Sequence, residues 1–204
     1  MSKEAVQHLT RADKILGRLI SKVGPCRLTP KPRRNPFEAL VRAVVYQQLN
    51  GIAAATILGR VTALYPNRRF PTPEDLLSTA DERLRGAGLS RAKTAALKDI
   101  AAKTLTGVIP GKSAIVRMTN EEIVERLTTV RGVGPWTVEM LLIFTLGRPD
   151  VLPVTDYGVR KGFARTYAWK ELPTPNELMA FGEKWSPHRS TAAWYFWRAV
   201  ELAE

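Results

Sequence analysis

The chain is poor in the residues that make disulfides, metal sites and membrane spans. Its single cysteine, Cys26, excludes an intramolecular disulfide framework and a four-cysteine zinc or iron–sulfur site. Its two histidines, His8 and His188, are too few and too far apart in the chain to indicate a metal site. No apolar run approaches the roughly 18 residues of a membrane span, and the first residues carry no signal-peptide core. We therefore expect a cytoplasmic protein without membrane association.

The sequence also gives no indication of β-strands, because it contains no convincing pair of segments in which apolar and polar residues alternate. Helix starts, in contrast, are frequent. Three segments combine a capping residue, a proline at the first helical position and an acid, and a fourth is a capping box without the proline: Asn35–Glu38, Thr72–Asp75, Thr174–Glu177 and Thr119–Glu122. Apolar residues follow at three- and four-residue spacing. The pattern predicts an all-α protein of about nine to eleven short helices.

The 204 residues fit one domain made of two helical lobes. The proline-rich, basic stretch Pro25–Pro36 is interpreted as a connector between an N-terminal helix and a middle bundle. The chain beyond about residue 150 is too short for a core of its own, so we expect it to pack with the N-terminal helix. Lobe one would then span about 1–35 plus 150–204, and lobe two about 36–149. A ligand site is expected in a groove between them.

The chain carries a large excess of positive charge. Lysine and arginine number 31 against 19 acidic residues, a formal net charge of +12. Such an excess favours a polyanion, most simply nucleic acid. A basic but otherwise ordinary soluble protein is the alternative.

The segment Leu127–Thr137 contains Gly132-Val133-Gly134 followed by Pro135, and it predicts two helices joined by a tight hairpin. The glycines allow a close approach to a surface, and proline suits the first turn of a helix. A turn that feeds a helix N-terminus presents backbone N–H groups to an anion such as a DNA phosphate.

One carboxylate, Asp156, stands just before another helical stretch. It is either a helix N-cap or an acid that stabilises an oxocarbenium-like transition state or orients a water, and the two roles are compatible. Trp136 beside the hairpin is either a core residue or a flat wall for a flipped base. Trp194 and Trp197 are assigned to core packing, and His188 to the surface or to packing.

Four segments, in this order and spacing, resemble the helix-hairpin-helix DNA glycosylase superfamily, and within it the 3-methyladenine DNA glycosylase II branch, which excises alkylated bases. They are Phe37–Asn50, Gly86–Lys93, Val130–Thr137 and Val151–Gly158. The hairpin alone is not specific, because DNA-binding proteins without catalytic activity also use it.

The resemblance implies the two-lobed fold of that family and a set of site residues. Asp156 takes the position of the catalytic aspartate, and Gln48 that of the wedge. The amides of Gly132, Gly134 and Thr137 would hold a phosphate beside Arg131. The carbonyls of Thr128, Val130 and Gly132 would bind a monovalent cation, Na⁺ or K⁺, with no other cofactor required. The substrate pocket would be lined by Tyr46, Trp136, Met140, Tyr157, Trp185 and His188.

The implied activity is hydrolysis of the N-glycosidic bond of alkylated purines, of the 3-methyladenine and 7-methylguanine type, in double-stranded DNA, by a monomer. Trp136 stands where the bifunctional glycosylase/lyases hold a lysine, which implies hydrolysis without strand cleavage. Met140 and His188 stand where aromatic residues are expected, which implies a more open or less electron-rich pocket. Two alternatives stay open: a glycosylase for a mismatched, deaminated or etheno base, and a DNA-binding module without catalytic activity.

Overall fold

The computed structural model describes residues 3–31 and 34–202, and within these ranges it contains helices and no strands. The predicted all-α class is confirmed. In chain order the helices are α1 (Lys3–Ala12), α2 (Lys14–Val23), α3 (Pro36–Tyr46), α4 (Gly51–Ala63), α5 (Pro73–Ser78), α6 (Asp81–Gly86), α7 (Arg91–Leu105), α8 (Lys112–Ile115), α9 (Asn120–Leu127), α10 (Pro135–Leu141), α11 (Tyr157–Thr166), α12 (Pro175–Gly182) and α13 (Arg189–Glu201). A π-helical turn (Leu142–Leu146) follows α10, and a 3₁₀ turn (Glu183–Trp185) follows α12.

The chain divides into two units. The terminal unit is the chain up to Lys31 together with the chain from Leu142 onward, and the middle unit lies between them. The division after Leu141 falls inside a continuous helical run, whereas the sequence analysis set it near residue 150. Pro32 and Arg33 of the expected connector lie outside the described residues, and the rest of it, up to Asn35, is not helical.

The predicted helix starts are confirmed. Asn35 accepts a hydrogen bond from the Glu38 N–H (2.8 Å) at the start of α3. Thr72, Thr119 and Thr174 each form a complete capping box with the acid three residues later. Capping is a local property, so it can be recognised from sequence.

The number of helices was underestimated, since the described residues form 13 α-helices. Two of the additional ones, α6 and α8, are short and begin without a side-chain cap, so their start signal is missing. The expected single N-terminal helix is divided at Asp13, which accepts hydrogen bonds from two backbone N–H groups of α2. A residue that caps a second helix also ends the first one.

Asp13 is buried in the core of the terminal unit and joins α1–α2 to the C-terminal half of the chain. Its carboxylate accepts hydrogen bonds from the Tyr167 hydroxyl and the Trp185 indole N–H (3.1 Å), and it pairs with Lys184 (2.9 Å). Burial pushes the pKa of Asp13 upward, but these donors and the Leu16 N–H outweigh it and bring the pKa to about 2.

Helices α11 and α13 of the terminal unit approach each other closely at Gly162. A β-carbon on Gly162 would lie 1.9 Å from the backbone oxygen of Phe196, so only glycine is compatible with this packing. Beside the contact lies a cluster of edge-to-face and tilted aromatic rings, formed by Phe163, Tyr167, Phe181, Trp185 and Phe196. The pair of helices is therefore a rigid base for the residues at its ends.

In the middle unit, α3 is the central helix and buries Phe37, Leu40, Val41, Val44 and Val45. It packs on α4, α7 and α10, so its C-terminal end lies near the start of α10. Among the described residues, no helix is long and apolar enough to cross a membrane.

Candidate active site

The hairpin between α9 and α10 belongs to the middle unit and forms the tight turn that the sequence predicts. The Val130 N–H donates to the Leu127 carbonyl (3.0 Å), and the Val133 N–H donates to the Val130 carbonyl (3.0 Å). Gly132 has φ +75°, and a β-carbon there would lie 2.8 Å from the Ala96 side chain. Both the backbone conformation and the packing on α7 therefore require glycine at this position.

Gln47, at the end of α3, binds the hairpin from the side. Its Nε2 donates to the Gly132 carbonyl (2.9 Å) and to the Thr137 hydroxyl (3.0 Å). Lys93 Nζ in turn donates to the carbonyls of Val45 and Gln47 (2.7 and 2.8 Å), and desolvation lowers the pKa of Lys93. The C-terminal end of α3 is thereby fixed to α7 on one side and to the hairpin on the other.

Two side chains of α7 form hydrogen bonds with the backbone of the hairpin. Asp99 Oδ2 accepts a hydrogen bond from the Arg131 N–H (2.7 Å), and Lys103 donates to the Thr129 carbonyl. Asp99 and Lys103 also form an ion pair (3.2 Å). The Arg131 backbone is thus held in place, while its side chain is exposed.

The three amides expected to hold a phosphate are not equivalent. The Thr137 N–H already donates to the Gly134 carbonyl (3.0 Å), and the Thr137 side chain is buried. Within residues 3–31 and 34–202, no protein group accepts from the N–H of Gly132 or Gly134. The expected role of Thr137 is therefore corrected: it holds the turn together, and the amides of the two glycines are the ones available to an anion.

The carbonyls expected to bind a monovalent cation lie in the same turn. Those of Val130 and Gly132 each accept one hydrogen bond, from the Val133 N–H and from Gln47. A carbonyl oxygen has two lone pairs, so each keeps one for a further partner. The donor set of oxygens fits a hard monovalent cation and does not suit a thiophilic metal.

The side chains proposed for the pocket and the wedge in the middle unit are accessible. Tyr46 and Trp136 are exposed to 40% and 36%, and Met140 is half-buried. Gln48 is exposed and has φ +56°, a left-handed conformation uncommon for a residue other than glycine. These exposures are compatible with ligand contact.

The candidate carboxylate, Asp156, belongs to the terminal unit and caps α11. Its Oδ1 accepts hydrogen bonds from the Val159 N–H and from the Trp197 indole N–H, both 2.8 Å long. A β-carbon on Gly158 would lie 2.8 Å from Trp197 Cδ1 and 3.1 Å from Asp156 Oδ1. The carboxylate is half-buried and is oriented by α11 and α13 together.

The segment that leads to Asp156 is anchored by the start of α13. The buried Ser190 hydroxyl donates to the Arg148 carbonyl (2.7 Å) and accepts from the Val151 N–H (3.0 Å). Asp150 accepts two hydrogen bonds from the Arg189 guanidinium (2.7 and 2.8 Å). Burial raises the pKa of Asp150, but hydrogen bonds led by those from Arg189 outweigh it, so the pKa lies below its usual value.

Trp197 is the main residue of the candidate site that the sequence analysis missed. It was assigned to core packing, but it is half-buried, stacks on Phe144 with ring centroids 5.5 Å apart, and donates to Asp156. Trp194, assigned in the same way, is buried as expected. No local signal distinguishes the two tryptophans, because the partner of Trp197 lies 41 residues away.

The remaining pocket residues of the terminal unit have different environments. Tyr157 is 64% exposed, next to Asp156. Trp185 is fully buried and donates its N–H to Asp13, so its expected role in the pocket is wrong: it is a core residue. His188 is half-buried and makes an edge-to-face contact with His8, with ring centroids 5.2 Å apart. The two histidines, distant in sequence, are neighbours in the fold.

The sequence analysis also did not identify Gln47 as a hydrogen-bond donor to the hairpin. Gln47 and Gln48 form a polar pair at the end of an apolar helix, which is a usable signal in the sequence. The partner could not be inferred, because Gly132 lies 85 residues further along the chain. Among the described residues, no group of three or more His, Cys, Asp or Glu side chains forms a metal site.

Comparison with known proteins gives consistent matches over most of the chain. The family model described as "HhH-GPD superfamily base excision DNA repair protein" matches residues 41–188. DNA-3-methyladenine glycosylase 1 of Schizosaccharomyces pombe is 40% identical over 198 residues, which cover 97% of this chain and 87% of that protein.

Two solved structures are similar in both sequence and fold. The 3-methyladenine DNA glycosylase of Schizosaccharomyces pombe in complex with abasic DNA gives a TM-score of 0.91 at 39% identity, with 98% of each chain covered. DNA-3-methyladenine glycosidase from Bacillus halodurans gives 0.85 at 34% identity, covering 98% of this chain and 90% of that one. This chain therefore belongs to the HhH-GPD superfamily of base excision DNA repair proteins.

Proposed function

We propose that the protein is a monofunctional DNA glycosylase that hydrolyses the N-glycosidic bond of alkylated purines, of the 3-methyladenine and 7-methylguanine type. The observation that carries the proposal is Asp156, a half-buried carboxylate whose Oδ1 is held by two N–H donors. It occurs in a chain 40% identical to a protein named DNA-3-methyladenine glycosylase 1. The enzyme would act on double-stranded DNA as a monomer.

Asp156 would oppose the positive charge that develops on the sugar as the glycosidic bond breaks. A purine alkylated at N3 or N7 is cationic and leaves as a neutral base, so the reaction needs no strong general acid. Water then adds to the sugar and completes the hydrolysis. The Val159 and Trp197 donors hold Asp156 in one orientation before the substrate arrives, which avoids reorganisation during the reaction.

The hairpin would bind the DNA backbone. The Gly132 and Gly134 amides would bind a phosphate, and the exposed Arg131 would add a salt-sensitive contribution. A monovalent cation at the carbonyls of Thr128, Val130 and Gly132 would supply one further positive charge toward the phosphate. Tyr46 and Trp136 would offer flat walls to the extruded base, and Gln48 would fill the space it leaves.

The proposed product is an intact abasic strand. A lyase needs an amine that attacks the sugar, and the position of the lyase lysine corresponds by resemblance to Trp136, which has no such amine. Borohydride should therefore trap no covalent adduct between enzyme and damaged DNA. A trapped adduct, or strand cleavage without heat or alkali, would show lyase activity.

The decisive experiment is chromatography of the bases released from methylated DNA, beside oligonucleotides that each carry one lesion. We expect release of 3-methyladenine and 7-methylguanine, unaffected by EDTA. Release of only a mismatched, deaminated or etheno base would assign a different lesion. Binding of DNA without release of any base would assign a non-catalytic module.

A further inference from the structure

The terminal unit contains an open cavity of about 430 Å³, lined by residues of α2, α11 and α13, which the proposed reaction does not use. Its size lies within the range of ligand-binding clefts. Three basic and three apolar side chains form most of its lining: Arg18, Lys22, Arg165, Ile15, Leu19 and Leu202. Among the described residues, none of those that line it is acidic or aromatic.

The cavity is separate from the Asp156 site. Asp156 caps the N-terminal end of α11, whereas Arg165 stands in the last turn, about 14 Å further along the helix axis. On α13, Ala199 lines the cavity two residues after Trp197. Two residues rotate a helix by about 200°, so Ala199 and Trp197 lie on nearly opposite sides of α13. A ligand in the cavity would therefore not cover Asp156.

The basic side chains of the cavity can bind an anion. Arg18 and Lys22 are exposed and lie one helical turn apart on α2. Arg165 donates to the Val200 carbonyl (2.9 Å) at the end of α13, which orients the guanidinium and leaves N–H donors for a second partner. Among residues 3–31 and 34–202, no acidic side chain forms an ion pair with any of the three. Carboxylates of a ligand would supply the missing counter-charges.

The apolar side chains indicate what else the ligand carries. Ile15 and Leu202 are exposed to 40% and 45%, and Leu19 is half-buried. Leu16 and Ile20 of the same helix are buried in the core, so α2 carries apolar residues both inside and outside the unit. Phosphates are bound by basic side chains and N–H groups, and unpaired bases by aromatic rings. An aliphatic lining beside basic side chains therefore suits an acidic peptide better than a nucleic acid.

We propose that this cavity binds an acidic segment of a partner protein that carries an aliphatic anchor residue. The anchor lies against the three apolar side chains, and carboxylates on either side of it pair with the three basic ones. The apolar contact provides the burial, and the charge pairs select an acidic partner over a basic one. The inference does not depend on the proposed function, since it involves neither Asp156 nor the hairpin.

The test is fluorescence polarisation of a labelled peptide in which aspartate and glutamate flank a leucine. Arg18→Glu and Ile15→Gln should each weaken its binding by at least about tenfold, because the first converts an attraction into a repulsion and the second removes apolar contact. Neither should change the melting temperature, since both side chains are exposed. Replacing the leucine of the peptide by serine, or its acids by lysine, should weaken binding to a similar extent.

The matched control is Lys170→Glu, the same reversal of charge at an exposed residue of the terminal unit that does not line the cavity. It should bind the peptide like the unmodified protein. Absence of peptide binding by the unmodified protein overturns the inference, as does an equal loss in the control. Displacement of the peptide by undamaged duplex DNA, together with weaker duplex binding by Arg18→Glu but not by Lys170→Glu, would assign the cavity to DNA and also overturn it.

Discussion

The hairpin and the Asp156 site are built in opposite ways. In the hairpin, the groups offered to a ligand are backbone atoms, and side chains of Gln47 and Asp99 hold them in place. At the Asp156 site, the proposed reactive group is a side chain, and a helix N-terminus and an indole hold it. A turn that binds phosphate through its backbone requires only a particular backbone conformation. The carboxylate of Asp156, in contrast, must hold one oxygen atom in one position. We therefore expect substitutions in the hairpin to weaken DNA binding and substitutions at Asp156 to slow base excision.

The largest expected effect is on the acid alone. Asp156→Asn should lower the single-turnover excision rate by at least about a hundredfold, or about 2.7 kcal/mol of transition-state stabilisation. Binding of undamaged and damaged duplex should change little, because the hairpin is intact. Near-normal excision by this variant would show that another group carries the chemistry.

Acid should destabilise the terminal unit through Asp13. Its pKa is about 2 in the fold, against 3.8 for an unperturbed aspartate, so the ionised form stabilises the folded state. The stabilisation, about 2 kcal/mol, is complete above about pH 4 and is lost as the pH falls toward 2. Four of the five tryptophans belong to the terminal unit, so melting followed by tryptophan fluorescence reports on it.

In the Asp13→Asn variant, the melting temperature should depend less steeply on pH in that range than in the unmodified protein. Asp75, in the middle unit, also has a lowered pKa, through hydrogen bonds from Thr72, but it is not buried. Asp75→Asn is therefore the matched control and should leave most of the acid sensitivity in place. Identical acid profiles for all three proteins would contradict the role of Asp13.

The hairpin is tested at its second glycine. A β-carbon on Gly134 meets nothing within 4 Å, so Gly134→Ala should keep the melting temperature. It should nevertheless weaken binding of damaged and undamaged duplex by about tenfold each, because the added methyl group obstructs the approach of a phosphate. Filter binding across a salt series measures this. A loss confined to damaged duplex would assign the hairpin to the base pocket instead.

Gly132→Ala is the contrasting variant, since φ +75° and the contact with Ala96 make it a folding defect. It should lower the melting temperature as well as DNA binding. If Gly134→Ala lowers the melting temperature by the same amount, the two glycines have the same structural role and the distinction between them is lost.

The smallest expected effect is on the donor to Asp156. Trp197→Phe keeps an aromatic ring against Phe144 but removes the N–H that binds Asp156. The excision rate should fall by about fivefold, the equivalent of one hydrogen bond of about 1 kcal/mol, with DNA affinity unchanged. Trp194→Phe, in the same helix, is the control and should not alter the excision rate selectively.

The sequence allowed local features to be predicted and left distant contacts hidden. The capping boxes at Thr72, Thr119 and Thr174 were predictable because both partners lie three residues apart. The superfamily was predictable because several short motifs occur in order, and the family match confirms it. The short helices α6 and α8 were not, since they lack a side-chain cap.

Contacts between residues that are distant in sequence can be identified only once the fold is known. Nothing near Trp197 in the sequence separates it from the buried Trp194, and nothing near Trp185 indicates its hydrogen bond to Asp13. The cause is physical: aromatic residues serve equally well in a core and beside a reactive group, and only their neighbours in space decide between the two roles. The sequence therefore indicated the acid correctly as a helix cap, but not the residue that orients it.

The contact at Gly162 limits how far the candidate active site tolerates substitution at a distance. Asp156 and its indole donor stand on different helices, and the spacing of those helices depends on the absence of a single carbon atom at Gly162. A larger residue there would meet backbone, which cannot rotate out of the way as a side chain can. Substitution of this glycine should therefore displace Asp156 from its indole donor, although Gly162 contacts neither base nor phosphate in the proposed mechanism. Gly162 thus fixes the distance between the helix that Asp156 caps and the helix that carries Trp197.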